Sequence, residues 1–278
     1  MSRTILTLHA HPDDESSKGA ATIARYSDLG FRTVLVTATG GEAGDILNRA
    51  ADTAEVRANL AAVRRSELRA AASIIGYDDV VMLGYRDSGM PDTAENAHPD
   101  AFVNAPIEEV LERLVAIVRS EAPEVIIGYD DHEWYPHPDH LRIHDLSGAV
   151  FVAAADPDQF PDAGQPWAAR RLYAPAFSLR RIRALGAAMA DRGLESPFDR
   201  WIDRIDPEAV DPPLTRVEIG AYVERGRDAL RAHRTQIDPD GPWFQIPTEL
   251  VRDVYPYEDF ELMAARDGAS ETGTELVA

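Results

Sequence analysis

Two short segments rich in histidine and aspartate stand out in the 278-residue chain: HPDD at 11–14 and YPHPDH at 135–140. Neutral imidazole and carboxylate are ordinary zinc ligands, and three protein ligands with an open fourth position are typical of catalytic zinc sites. A lone aspartate in such a segment is well explained as a helix N-cap, but two His-Pro-Asp tripeptides that each follow a predicted strand favour a metal site. The candidate residues are His11, Asp13, Asp14, His137, Asp139 and His140.

Strand and helix patterns alternate along the chain. Short apolar runs predict buried strands, and apolar residues three and four apart predict helices. The alternation predicts an α/β fold, a Rossmann-like and mostly parallel sheet flanked by helices. Both His–Asp segments follow a predicted strand, and ligands of such sheets bind beyond the carboxyl ends of the strands. The strands are predicted at 4–8, 31–37, 80–83 and 124–129, and the helices at 17–29, 52–75, 107–118 and 140–155.

The C-terminal part has a different pattern. One more strand is predicted at 171–178, and helical spacing dominates the residues that follow. We therefore predict a Rossmann-like domain over 1–168 and a smaller, helix-rich part over 169–278 that completes the substrate pocket. The last dozen residues, 267–278, are expected to form a frayed tail.

Composition excludes several kinds of partner and site. The chain carries 28 Lys+Arg against 48 Asp+Glu, a formal net charge of −20, which disfavours binding to nucleic acid and to anionic membrane surfaces. The absence of cysteine excludes disulfides and cysteine–zinc sites. No apolar run is long enough for a signal peptide or a membrane span. These features predict a soluble cytoplasmic protein, and they leave the oligomeric state open.

The segment HAHPDDE, followed far downstream by HPDH, resembles the LmbE/PIG-L family of zinc-dependent deacetylases. Other segments resemble the mycothiol branch of that family along nearly the whole chain. The resemblance implies hydrolysis of the amide in mycothiol S-conjugates during detoxification, with glucosaminyl-inositol and a mercapturic acid as products. Deacetylation of N-acetylglucosaminyl-inositol is the alternative within the same chemistry, and a sugar-binding protein without turnover is the alternative outside it. The resembling segments are SSKGAA, TGGEAGDILN, DSGMP, YPHPDH, PDAGQPW and LRAHRTQIDP.

The resemblance also implies roles at the metal. It makes His11, Asp14 and His140 the ligands of one zinc per chain and leaves Asp13 as the general base. Fe²⁺ is an alternative metal, because imidazole and carboxylate accept both. The chemistry independently requires one carboxylate to bind the metal while its neighbour takes a proton from water, but the residues alone leave open which does which.

Two more residues are expected to act on the reacting amide. His137 is the candidate donor to the oxyanion, and Asp139 is expected to hold its ring and to favour the protonated form. Tyr135 either adds a phenol donor or packs on the substrate as an aromatic lid. His144 lies one helical turn after His140, and a packing role is favoured for it over an HxxxH zinc site.

The remaining candidates concern the substrate. Glu42, Arg64 and Asp87 match positions near the sugar or inositol in the mycothiol branch, although each is also explained as a solvated charge. Lys18 is the only lysine of the chain, and we expect it to contact the acyl arm of an S-conjugate. At 130–134 the chain has DDHEW where the resemblance implies DENGG, which predicts a different pocket rim. His233 in LRAHRTQ is expected to be structural.

Overall fold

A computed structural model of the chain describes residues 3–131, 135–199, 206 and 208–277. Its strands are β1 Thr4–His9, β2 Arg32–Thr39, β3 Asp79–Tyr85, β4 Val125–Ile127, β5 Arg171–Ala176, β6 Thr215–Glu218 and β7 Tyr257–Ala265. Its α-helices are α1 Asp14–Ser17, α2 Ala20–Asp28, α3 Ala54–Ala58, α4 Leu60–Ile75, α5 Ile107–Glu121, α6 Pro138–Ala153, α7 Leu179–Asp191, α8 Val223–Ala232, α9 Pro242–Gln245 and α10 Thr248–Val254. Short 3-10 helices lie at Phe102–Asn104, Pro161–Ala163 and Gly220–Tyr222.

The strands form one sheet in the order β3-β2-β1-β4-β5-β7-β6. The first five strands of that order run parallel, and β7 is antiparallel to both β5 and β6. Because β2 and β4 lie on opposite sides of β1, the order of the strands reverses direction at β1 and β4. The crevice at their carboxyl ends is where sheets of this kind bind ligands.

Both faces of the central sheet are covered. Successive residues of a strand point to opposite faces, so Ile5 of β1 packs in one core cluster and Leu6 in another. The first cluster includes apolar residues of α2, α4, α7 and α8, and the second includes those of α5 and α6. None of the described helices combines the length and the apolar character needed to cross a bilayer.

The structure confirms the predicted α/β fold and differs from the sequence prediction in detail. The predicted helix 17–29 is interrupted at Gly19, which has φ 89° and whose hydrogen faces the Phe260 ring, where a Cβ would approach to 3.3 Å. Strands β6 and β7 were not predicted, and they extend the sheet beyond β5. The division into 1–168 and 169–278 stays a prediction.

The expectation of a frayed C-terminal tail is wrong. The Glu275 carboxylate accepts hydrogen bonds from both terminal nitrogens of Arg25, at 2.6 and 2.7 Å, and from the hydroxyl of Tyr26 at 2.8 Å. Leu276 beside it is completely buried in the core cluster that also contains Ile5. An ion pair followed by an apolar side chain thus docks the end of the chain onto α2.

Candidate active site

The two His–Asp segments meet beyond the carboxyl ends of β1 and β4, as the sequence predicts. His11 comes from the loop after β1, Asp14 is the first residue of α1, and His140 comes from the first turn of α6. The Asp14 Oδ2 atom lies 3.4 Å from His11 Nδ1 and 3.4 Å from His140 Nε2. The two imidazole nitrogens lie 3.3 Å apart. Three buried donor atoms therefore form a nearly equilateral triangle, which we call the ligand triangle.

The ligand triangle fits a divalent metal. Bonds of about 2.1 Å at tetrahedral angles separate ligand atoms by about 3.4 Å, the spacing seen here. Two imidazoles and one carboxylate also form a typical donor set for a catalytic metal. His11, His137 and Asp139 form an overlapping set with potential ligand atoms within 4.8 Å of one another. His11 belongs to both sets. The partners of its Nε2 atom therefore decide which of the two sets it can join.

The second nitrogen of His11 has carboxylate partners. Its Nε2 lies 3.2 Å from Asp139 Oδ2 and 3.5 Å from Asp87 Oδ1. A carboxylate on the far nitrogen holds a ligating histidine with that nitrogen protonated, which turns the lone pair of Nδ1 toward the ligand triangle. Burial opposes charge on His11, but hydrogen bonds to Asp139, Asp14 and Asp87 raise its pKa well above the usual value.

The structure corrects the expectation that Asp139 holds the His137 ring. Asp139 Oδ2 bonds to His11 and accepts the backbone N–H of Ser88 at 3.0 Å, while Oδ1 has no hydrogen-bond partner among the described residues. His137 caps α6, and its Nδ1 accepts the backbone N–H of Asp139 at 3.2 Å. The reason is geometric: Asp139 lies in the first turn of α6, and its carboxylate reaches across to His11.

The structure also disfavours the protonated form of His137. Burial, together with the nearby His11, lowers its pKa to about 4. Because Nδ1 acts as an acceptor, a neutral His137 carries its hydrogen on Nε2. In this form Nε2–H is the hydrogen-bond donor of the ring, whereas the sequence suggested the protonated form, and the contact of His137 with the oxyanion stays a prediction.

Asp13 and Asp14 differ in both exposure and charge. The Asp14 side chain is 4% exposed, and despite burial its contacts with His140 and Lys18 hold its pKa well below the usual value. The Asp13 side chain is 27% exposed and adopts a left-handed backbone conformation with φ 105°. Burial raises the pKa of Asp13 to about 6, with Arg64 opposing the rise. Asp14 belongs to the ligand triangle, and Asp13 stands beside it.

Lys18 contacts the ligand triangle from outside. Its Nζ lies 2.7 Å from Asp14 Oδ1, the oxygen that does not face the two imidazoles. The ammonium also lies 5.3 Å from the centre of the Tyr129 ring, within cation–π range. Lys18 therefore neutralises Asp14 and occupies its second oxygen, while a contact with the substrate's acyl arm stays a prediction.

Arg64 connects two loops of the site. This buried side chain of α4 donates to the carbonyl oxygens of Pro12, at 2.8 Å, and of Gly41, and it lies 3.3 Å from the Asp13 carboxylate. Its guanidinium thus joins the HPDD loop to the Gly-rich loop after β2. A direct contact with the sugar stays a prediction.

Glu42 and Asp87 join neighbouring loops in a similar way. Glu42 Oε1 accepts the backbone N–H of Asp87 at 3.2 Å, and Asp87 Oδ2 accepts that of Ala43 at the same distance. Neither carboxylate is a simple solvated charge, because both bond to backbone close to the ligand triangle. Their contacts with the sugar or inositol stay predictions.

Tyr135 and His144 precede and follow His140 in the sequence. The Tyr135 ring is half exposed and lies 5.2 Å from the His140 ring and 6.0 Å from the His137 ring, centre to centre. Both predicted roles, phenol donor and aromatic lid, are compatible with that position. His144 Nδ1 lies 2.9 Å from the carbonyl oxygen of Tyr129, in accordance with a packing role. The unusual residues His132, Glu133 and Trp134 lie outside the described residues.

Two buried residues that bear on the site, Glu15 and His233, are not among the predicted site residues. Glu15 follows the HPDD segment directly, and its carboxylate lies 2.6 Å from the His233 imidazole. The available signals were the carboxylate that extends HPDD to HPDDE and the histidine inside LRAHRTQIDP, one of the resembling segments. The contact between them was not predictable, because the two residues lie 218 positions apart in the sequence.

Known proteins resemble this chain over most of its length. The family model described as PIG-L: GlcNAc-PI de-N-acetylase matches residues 6–151. The mycothiol S-conjugate amidase of Streptomyces coelicolor is 40% identical over 93% of this chain and 90% of its own length. The 1D-myo-inositol 2-acetamido-2-deoxy-alpha-D-glucopyranoside deacetylase of Geodermatophilus obscurus is 38% identical over 97% of this chain and 95% of its own length.

Solved structures share the fold at low sequence identity. The N,N'-diacetylchitobiose deacetylase of Pyrococcus horikoshii is 21% identical, with a TM-score of 0.65 over 94% of this chain and 84% of its own. A 4-carboxy-2-hydroxymuconate hydratase of Pseudomonas putida is 17% identical, with a TM-score of 0.62 over 99% of this chain and 100% of its own. One fold thus carries two reactions, so the family assignment rests on the sequence relatives. By these relatives the chain belongs to the PIG-L (LmbE) family and is an amide hydrolase.

Proposed function

We propose that this protein is a metal-dependent amidase that cleaves mycothiol S-conjugates at the amide between the acetylcysteinyl part and glucosaminyl-inositol. The products would be a mercapturic acid for export and an amine returned to thiol synthesis, which is a detoxification role in the cytoplasm. The observation that carries this assignment over deacetylation is Lys18. It lies at the site against Asp14, and SSKGAA resembles the amidases, whereas a smaller polar residue is expected there in the deacetylases.

The proposed ligands are His11, Asp14 and His140, with zinc as the metal and iron as an alternative. Bound there, the metal would supply a water that loses its proton near neutral pH and would polarise the amide carbonyl. Asp14 is suited to ligation because His140 and Lys18 keep it ionised. His11 is suited because Asp139 accepts the hydrogen of its other nitrogen.

Asp13 is the proposed general base. It lies outside the ligand triangle and is partly exposed, so its carboxylate can take a proton from the attacking water. The same group then delivers the proton to the departing amine. A carboxyl pKa of about 6 suits both steps, because the group is ionised near neutral pH and still basic enough to accept the proton.

His137 is the proposed donor to the oxyanion that forms as water adds to the carbonyl carbon. Its Nδ1 is held by the backbone of α6, which leaves Nε2–H free of that bond to donate. A donor already oriented before the reaction lowers the barrier most. Tyr135 supports this step as a second donor or covers the substrate, and Glu42, Arg64 and Asp87 are the proposed contacts for the sugar and inositol.

The second candidate function is deacetylation of N-acetylglucosaminyl-inositol, which is favoured by the 38% identical deacetylase of Geodermatophilus obscurus. The two reactions share the bond type and the amine product and differ in the acyl group. The test is release of amine by the zinc-loaded enzyme from a mycothiol conjugate and from N-acetylglucosaminyl-inositol, compared as kcat/KM.

We expect a larger kcat/KM on the conjugate. A larger value on the acetyl substrate would favour the deacetylase. A sugar-binding protein without turnover would release no amine from either substrate, even when fully metallated.

A further inference from the structure

A buried pair connects the C-terminal part of the chain to the HPDD loop. His233 follows α8, and its Nε2 lies 2.6 Å from Glu15 Oε1, with both side chains completely buried. The other oxygen of Glu15 accepts the backbone N–H of Asp13 at 2.9 Å. One carboxylate therefore links a histidine of the C-terminal part to the backbone of the proposed base.

The backbone of Asp13 needs such support. Its φ of 105° and ψ of −27° fall in a region that residues with a Cβ rarely adopt. A conformation of this kind persists only where the surroundings hold it. The carbonyl oxygen of Asp13 accepts the N–H groups of Ser16 and Ser17 at 3.0 Å each, whereas its N–H bonds to Glu15.

Glu15 in turn depends on His233. A carboxylate without solvent is unfavourable unless charge and hydrogen bonds compensate for the lost water. Ser16 donates to Glu15 Oε1 at 2.5 Å, and His233 Nε2 lies 2.6 Å from the same oxygen as its second hydrogen-bond partner. His233 Nδ1 has no hydrogen-bond partner among the described residues, so the contact with Glu15 is the bond that orients its ring.

A second contact holds the segment that carries His233. Thr235 donates through its backbone N–H, at 3.0 Å, and through its hydroxyl, at 2.6 Å, to the buried carboxylate of Glu67 on α4. Arg64 lies on the same helix and bonds to the carbonyl oxygen of Pro12. The residues after α8 are thus attached to the two helices that hold the HPDD loop, α1 and α4.

We propose that Glu15 and His233 are positioning residues that hold the backbone of Asp13, so that its carboxylate stands beside the ligand triangle rather than within it. This inference rests on the proposed function, in which Asp13 is the general base. Neither residue touches the substrate in this account. Loss of the pair misplaces the base and lowers kcat, while KM and the affinity for the metal are preserved.

The test uses Glu15→Gln and His233→Gln in the full chain. We expect kcat to fall about tenfold, as misplacement of a catalytic group predicts, with KM changed less than about twofold. Zinc affinity, measured against a competing chromophoric chelator, should equal that of the wild type. One variant changes the carboxylate of the pair and the other changes the imidazole. If one of them fails to fold, the other still provides the test.

A double-mutant cycle separates positioning from general damage. If Glu15 acts through Asp13, adding Glu15→Gln to Asp13→Ala lowers kcat no further. Asp259→Asn is the matched control, because Asp259 on β7 is also a buried carboxylate with hydroxyl donors, Ser178 and Tyr255. It should lower Tm and leave kcat unchanged in both backgrounds.

An equal loss of kcat in both backgrounds would overturn the positioning role and leave the proposed function intact. A wild-type kcat in Glu15→Gln and His233→Gln would do the same. Full turnover in Asp13→Ala would overturn the base assignment itself, so the two failures are distinguishable.

Discussion

The tripeptide His-Pro-Asp occurs three times in this chain, at 11–13, 98–100 and 137–139. Two of these copies lie at the candidate active site, the first at 11–13 and the second at 137–139, and their structures differ. The copy at 11–13 lies in a loop between β1 and the single turn of α1, and its aspartate is left-handed. The copy at 137–139 opens the 16-residue helix α6. There proline occupies the first turn, where it favours a helix, and histidine is the N-cap.

Because the backbones differ, the histidine and the aspartate have different roles in the two copies. In the first copy the histidine belongs to the ligand triangle and the aspartate stands beside it, partly exposed. In the second copy the aspartate is completely buried and bonds to the histidine of the first copy, Asp139 to His11. Identical tripeptides are therefore not equivalent sites, because the conformation of the aspartate decides which group its carboxylate meets.

The largest predicted effect separates the histidines of the second segment. His140→Ala removes a donor of the ligand triangle and should abolish both metal binding and turnover, as chelation of the wild type should. One equivalent of zinc should restore the chelated wild type but not the variant. Metal content by atomic emission and amine release are the measurements.

His137→Ala is the matched control for His140→Ala. It should keep its metal and lose roughly a hundredfold in kcat, the usual scale for an oxyanion donor. Full metal occupancy in His140→Ala would remove His140 from the ligand triangle. Loss of metal in His137→Ala would favour the overlapping set of His11, His137 and Asp139.

The second-largest predicted effect concerns the contact between Asp139 and His11, which joins the two copies. Asp139→Asn replaces the carboxylate that accepts the His11 Nε2 hydrogen, and we expect metal affinity to fall about 10- to 100-fold. Asp87→Asn is the control, because Asp87 lies farther from His11 Nε2, at 3.5 Å. Its effect on affinity should be smaller, and a larger effect would identify Asp87 as the residue that orients His11.

The smallest effect concerns Lys18. Lys18→Ala removes the ammonium from Asp14, so some activity should be lost on both the conjugate and the acetyl substrate. A contact with the acyl arm would add a further loss of about tenfold in kcat/KM on the conjugate alone. Equal losses on the two substrates would restrict Lys18 to its contact with Asp14.

The sequence predicted the parts of the site that depend on local pattern and strand order. Two His–Asp segments that follow parallel strands are expected to meet when the strands are neighbours. The structure pairs β1 with β4. The orientation of Asp139 toward His11 and the pairing of Glu15 with His233 were not predictable. Both depend on contacts between residues more than a hundred positions apart.

Part of the fold was also not predictable, because it too depends on contacts between residues that are distant in the sequence. Strands β6 and β7 pair antiparallel at the edge of the sheet, outside the βαβ pattern that identified the others. The docked tail depends on Glu275 meeting Arg25, 250 positions away. The composition of residues 267–278 is mostly polar and small, which indicated a frayed tail. A single apolar residue such as Leu276 does not predict burial, although Leu276 is completely buried.

The adjacent aspartates of the HPDD segment, Asp13 and Asp14, have different proposed functions in this site, and one paired measurement separates them. Metal content and turnover are measured together in Asp13→Ala and in Asp14→Ala. We predict that Asp13→Ala keeps its metal and loses roughly a hundredfold or more in turnover, as expected for a general base, and that Asp14→Ala loses the metal. The reverse pattern, with metal lost from Asp13→Ala and retained in Asp14→Ala, would contradict the account.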